Sequence, residues 1–157
     1  MAEFNGIVSG EGRRYAVLAS RFNNSITSKL ADGAMDALVR HGCASEDIDV
    51  IWVPGAWELP FAARRLAATE RYNALIVVGA VIRGGTPHFE YVCEAATLGL
   101  TEVSVRSGVP VGFGVLTCDT MAQALARAGG DAGNKGHDAT DAALDAALQM
   151  RGAHGGP

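Results

Sequence analysis

Cysteine, lysine and long apolar runs are all scarce in this sequence. Its three cysteines, Cys43, Cys93 and Cys118, are an odd number at wide spacing with no C-x-x-C pair. That pattern excludes a disulfide framework and a cysteine-based zinc site, and fits small buried hydrophobes in a reducing compartment. Lysine occurs only as Lys29 and Lys135. Lys plus Arg number 13 against 17 Asp plus Glu, a formal net charge of -4, so the basic surplus that nucleic-acid binders use to displace counterions is missing. No stretch approaches roughly 18 consecutive apolar residues, so no membrane span is expected. The opening Met-Ala-Glu-Phe-Asn-Gly has no basic region leading into an apolar one, so no signal peptide is expected. A cytoplasmic protein follows as the expectation. Neither a Walker motif nor G-x-G-x-x-G occurs, and G-x-S-x-G and H-E-x-x-H are missing too.

What is present suits one globular domain over 1–157. The chain has 157 residues, 48% of them hydrophobic and only 19% charged, enough for a core without staples. Short apolar runs alternate with longer helical patterns. Strands are predicted over 15–20, 49–54, 74–82 and 111–116, and helices over 25–41, 58–69, 89–105, 120–128 and 134–150. The run ALIVVGAVI at 74–82 is apolar on both faces, as a central parallel strand must be. Residues 4–9 form one further candidate strand, and the Gly-rich tail 151–157 is expected to fray. Repeated β-α units imply a parallel sheet covered by helices on both faces.

In such a sheet, ligands bind beyond the carboxyl ends of the strands. Phe22 and Trp57 stand in those loops, where turns ordinarily carry small polar residues; each either grips a flat, partly polar ring or lids the core. In Arg83-Gly84-Gly85-Thr86-Pro87-His88, Thr86 suits the N-cap and Pro87 the first helical position. His88 then falls in the first turn, with Gly84 and Gly85 offering N–H groups to a phosphate or carboxylate. The positive helix end disfavours an imidazolium, so His88 should be largely neutral at pH 7 and suited to accepting and returning protons; alternatively it only caps its helix. Arg127, near the end of one helix, and Lys135, starting the next, either serve an anionic substrate or are ordinary helix and loop charges. His41 ends a helix, His137 is a surface candidate and His154 lies in the tail. Glycines flanking Phe113 inside a strand indicate close approach of a backbone or a ligand. Bottom-up, the residues describe an α/β protein binding a small planar anionic ligand, with proton-transfer chemistry.

Taken together, five segments resemble the lumazine synthase family. They are Ser20-Arg21-Phe22-Asn23, the run from Val53 through Glu58 to Pro60, the run from Gly79 through His88 to Glu90, the run from Pro110 to Thr117, and Asn134-Lys135-Gly136. The resemblance covers about 4–150. It implies a three-layer α/β/α sandwich with a central four-stranded parallel sheet of flavodoxin-like type, and an N-terminal strand added to a neighbouring subunit's sheet. It implies condensation of 5-amino-6-(D-ribitylamino)uracil with 3,4-dihydroxy-2-butanone 4-phosphate to 6,7-dimethyl-8-ribityllumazine, phosphate and water, the penultimate step of riboflavin biosynthesis, with no cofactor and no metal.

By the same resemblance Phe22 stacks on the pyrimidine, and Ala56, Trp57, Glu58, Ala80, Val81 and Ile82 hold the ribityl chain and the uracil edge. Gly85, Thr86 and Arg127 hold the phosphate, Phe113 reaches into an adjacent subunit's site, His88 transfers protons and Lys135 supports it. Gly85 departs from the acidic residue of many members, with backbone N–H contacts expected to serve there. The implied partners are the small-molecule substrates, further copies of the chain in a pentamer or an icosahedral 60-mer, and riboflavin synthase as a pathway partner, with no nucleic acid and no membrane. Members that stop at the pentamer tend to carry extra residues between the positions of Arg127 and Lys135; the short loop here aligns with the shell-forming kind. Two rivals stay open. A non-catalytic flavin carrier or shell protein would not need His88 and Arg127, and the related archaeal riboflavin synthase would not need a phosphate site.

Overall fold

The computed structural model describes residues 1–154. Four strands, β1 (Tyr15–Ser20), β2 (Ile48–Val53), β3 (Ala74–Ile82) and β4 (Val111–Cys118), form one sheet in the order β2-β1-β3-β4. All three pairings are parallel, with Ala19 beside Trp52 on one side and Val78 on the other. Every residue of β1 is buried, as are the first seven of β3, whereas the edge strand β2 is mostly half-exposed. Continuous apolar runs at the centre and mixed ones at the edge are what burial on two faces against one requires.

Helices α1 (Asn24–Arg40), α4 (Met121–Ala126) and α5 (Lys135–His154) cover the face bearing Val17, Ile76 and Val78. Helices α2 (Leu59–Ala68) and α3 (His88–Ser107) cover the face bearing Leu18, Leu75 and Val77. The result is the expected three-layer α/β/α sandwich. Glycine sets how closely α5 lies on β4: a Cβ at Gly112 would stand 2.4 Å from the Ala139 carbonyl oxygen. The glycines flanking Phe113 thus answer to a backbone, not to a ligand.

Three local features differ from the sequence expectation. Residues 4–9 form no strand within the protomer; the arm lies along the end of α5, where the Gln149 amide accepts from Gly6 N at 3.3 Å and donates to Gly6 O at 3.4 Å. A lone extended segment has no free sheet neighbour there and satisfies its backbone on a side chain instead. The loop from Arg127 to Lys135 is an antiparallel hairpin, β5 (Ala128–Gly130) with β6 (Gly133–Asn134), whose Gly129 and Gly133 take positive φ. Helix α5 continues to His154, into the stretch expected to fray; residues 155–157 of that stretch lie outside the described residues.

Candidate active site

The strand order reverses direction of growth between β1 and β3, and such a switch point opens a crevice at the carboxyl ends of the strands. A cleft of about 520 Å³ lies there. Phe22, Ala56, Trp57, Glu58, Ala80, Val81, Ile82, Thr86 and His88 all line it, joined by Asn23 and Gly84. Gly85 is exposed on the same loop, beside the lining residues.

Local bonding explains why these side chains point there. Arg21 N donates to Val53 O at 2.8 Å and Phe22 N to Pro54 O at 2.9 Å, tying the turn after β1 to the end of β2. Asn23 then adopts a left-handed backbone, φ 61, a conformation asparagine tolerates better than most residues. Its side-chain amide donates to Ala80 O at 3.0 Å, joining β1's loop to β3's end. Phe22, the residue before this reversal, is left 72% exposed, and Trp57 is 64% exposed. Neither is a lid on the core; both offer apolar faces to the cleft. Glu58 accepts from Gly55 N at 3.0 Å, closing the 3-10 turn Ala56–Glu58 that leads into α2.

The loop after β3 carries a correction. Helix α3 begins at His88, one residue later than Thr86 capping would place it, and Pro87 is the N-cap with no side-chain cap bond among the described residues. Pro87 at φ -65 and ψ -4 already curls the chain, and Glu90 N donates to Pro87 O at 3.0 Å. The Glu90 carboxylate supplies the acidic group at the helix start instead, so Thr86 stays free to face the cleft. His88 remains in the first turn, exposed. Arg83 sits at the other end of the loop. Its Nε donates to Asp119 at 2.8 Å, Nη1 pairs with Glu90, and the guanidinium stacks on the Phe89 ring, 4.4 Å from its centroid. Asp119 and Glu90 raise the Arg83 pKa, and Arg83, with a backbone N–H, lowers that of Glu90.

Phe113, Arg127 and Lys135 do not line this cleft. They line a second hollow of about 310 Å³ along β4, with Thr117 and Cys118. Phe113 is 46% exposed. Arg127 Nη1 donates to Gln123 O at 3.1 Å, and Lys135 N donates to Arg127 O at 2.9 Å, so the backbones of the two residues pair at the base of the hairpin. Lys135 also pairs with Asp138 at 3.6 Å. Within one protomer the expected site residues therefore form two groups in two hollows. No group of three or more His, Cys, Asp or Glu side chains among the described residues could hold a metal ion, and no helix among them is long and apolar enough to cross a membrane.

Against known proteins, residues 12–151 match the family model for 6,7-dimethyl-8-ribityllumazine synthase. The chain belongs to the lumazine synthase family. It is 59% identical over 145 residues to 6,7-dimethyl-8-ribityllumazine synthase of Gemmatimonas aurantiaca, spanning 92% of this chain and 88% of the relative. As a lumazine synthase family member it is a transferase of riboflavin biosynthesis, acting at the condensation that forms the lumazine. Two features of this family member escaped the sequence reading, Asn23's backbone reversal and the Arg83–Glu90–Asp119 cluster. An asparagine at a strand-to-helix turn is a signal for the first. The second joins residues 36 positions apart, and spacing alone gives no sign of it.

Proposed function

We propose that the two hollows are halves of one active site, completed when Phe113, Arg127 and Lys135 of one copy face the cleft of the next. In this reading Phe22 and Trp57 hold the pyrimidine, and Ala56, Glu58 and the 80–82 segment hold its edge and the ribityl chain. Gly85, Thr86 and Arg127 take the phosphate of 3,4-dihydroxy-2-butanone 4-phosphate. The separation of Arg127 from the Thr86 loop in a single protomer is the observation that carries the proposal, since both would be needed on one phosphate.

The chemistry asks for proton traffic and little else. The 5-amino group attacks the ketone and water leaves; phosphate is then eliminated, and the ribityl-bearing nitrogen closes the ring with loss of water. Each step moves a proton between nitrogen, carbon and oxygen, and His88, exposed at the cleft, is placed to carry it. Confining both reactants supplies much of the rate. Five copies close into a pentamer that shares its sites between neighbours, and twelve such pentamers make a 60-mer; the short hairpin between Arg127 and Lys135 favours this shell. Residues 4–9 would leave α5 to add a strand to a neighbouring subunit's sheet. The protein works in the cytoplasm, handing its product to riboflavin synthase.

Incubation with both substrates, followed by lumazine fluorescence, tests the reaction. His88→Ala should lower kcat about 10- to 1,000-fold with little change in either KM. Arg127→Ala should raise KM for the butanone phosphate about 10- to 100-fold and leave the uracil's KM nearly unchanged. With the butanone phosphate held well below its KM, where both variants are slow, co-assembling the two should restore part of the activity, because some interfaces then carry both native residues. No recovery from a mixed assembly of native mass would defeat the shared site.

A further inference from the structure

We infer that Arg83 is a positioning residue for the condensation, holding the phosphate loop and the Arg127 helix in one fixed arrangement. This rests on the site proposed above. The loop Gly84-Gly85-Thr86 has little packing to hold it: a Cβ at Gly84 or Gly85 would meet nothing within 4 Å among the described residues. Glycine pairs are also the most freely rotating backbone. Yet the N–H groups there must point in a defined direction to bind an anion.

Arg83 ties that loop at both ends. Its own N–H donates to Cys118 O at 2.9 Å, fixing where the loop leaves β3. Its guanidinium pairs with Glu90 in the first turn of α3 and stacks on Phe89, closing a ring around the glycines and His88. The third tie runs outward. Asp119, held by Arg83 at 2.8 Å, also donates its N–H to the Gln123 side chain at 2.7 Å, and Gln123 O accepts from Arg127 at 3.1 Å. A continuous polar chain thus runs from the first turn of α3 to the guanidinium of Arg127.

Charge gives a second reason. Glu90 and Asp119 flank a loop meant for a phosphate, and without Arg83 both would stand there uncompensated. The cluster is solvent-exposed, so its ion pairs add little to global stability. Its effect belongs in the geometry of the site, where a misplacement of about 1 Å can cost about a hundredfold in rate.

The test is steady-state kinetics on Arg83→Met and Asp119→Asn in the assembled protein. For Arg83→Met, KM for the butanone phosphate should rise about tenfold and kcat fall about 10- to 100-fold, while KM for the ribitylaminouracil stays within about twofold. Asp119→Asn should give the same pattern more weakly, and Tm should hold in both. Arg83→Lys keeps one charge but loses the fork and the stack, and should recover only part of the loss; it carries the test if Arg83→Met fails to assemble. Wild-type kinetics in Arg83→Met, or equal rises in both KM values with a fallen Tm, would overturn the inference. His88→Ala and Arg127→Ala measured alongside separate the two claims. Activity lost in those but kept in Arg83→Met defeats the positioning role alone, whereas activity kept in those two defeats the site on which it rests.

Discussion

Asp49, at the end of the sheet remote from the cleft, gathers three side chains onto one carboxylate. Tyr72 donates to it at 2.6 Å, Arg14 at 3.1 Å, and Arg71 lies 3.6 Å away. Arg14 precedes β1 and Tyr72 precedes β3, so this carboxylate pins the starts of three neighbouring strands. The Tyr72 hydroxyl first, and Arg14 next, hold its pKa below the ordinary 3.8. A carboxyl whose folded pKa is depressed contributes stability that is fully present above its unfolded value and is lost as pH falls through the folded one. Urea unfolding followed downward from pH 7 should therefore show a loss of stability below about pH 4 that is smaller in Asp49→Asn. At Cys43 burial, with Asp47 adding to it, pushes the thiol up to about 11. Since the thiolate is the reactive form, iodoacetamide at pH 8 should modify Cys43 only after unfolding; rapid labelling of the native protein at that residue would contradict its burial.

Between elements, the tightest junction is where α1 and α5 meet. A Cβ at Gly136 would lie 2.0 Å from Leu30 O, a main-chain atom that cannot swing aside. Alanine is favoured over glycine in a helix by about 1 kcal/mol, but Gly136 is only the second residue of α5, so little of that gain applies. Forced separation of packed elements costs about 1–3 kcal/mol, and the clash wins. Gly136→Ala should lower the urea midpoint with an unchanged slope, whereas Gly84→Ala, in open space, should leave it in place. Equal midpoints for the two would mean that α1 can slide on α5 at no cost. This junction bears on the proposed site because Asn134, whose side-chain Oδ1 accepts from Gly136 N at 2.8 Å and whose side-chain Nδ2 donates to Lys29 O at 3.0 Å, ends the hairpin that carries Arg127 and Lys135.

For the whole molecule, the exposed surface bears on the proposed assembly. Tyr91, Leu98 and Val105 recur every seventh residue along α3, all more than half exposed, and Phe61 on α2 is 72% exposed. A helix face of that kind is ordinarily covered by another chain. Five copies of a 16.3 kDa chain have a mass of about 82 kDa and sixty of about 980 kDa, the closed symmetries proposed. Light scattering should return the larger value. A mass near 82 kDa at high concentration would remove the shell and leave the pentamer, and a mass near 16 kDa would remove the shared active site as well.

The strands and the loops that follow them were legible in the sequence because a parallel strand buried on both faces must be apolar along its length, as β3 is from Ala74 to Ala80. Residue types in those loops carried the ligand class and the family, since Phe22, Trp57 and the glycine-rich turn before His88 are chemical signals in themselves. Other features depended on contacts between distant positions. The end of residues 4–9 against Gln149, the Arg83 cluster and the close seat of Ala139 on Gly112 are each set by a partner far along the chain. So is the division of the expected site into two hollows. Local pattern fixes which face of an element is apolar, but only packing in three dimensions decides which loop meets which.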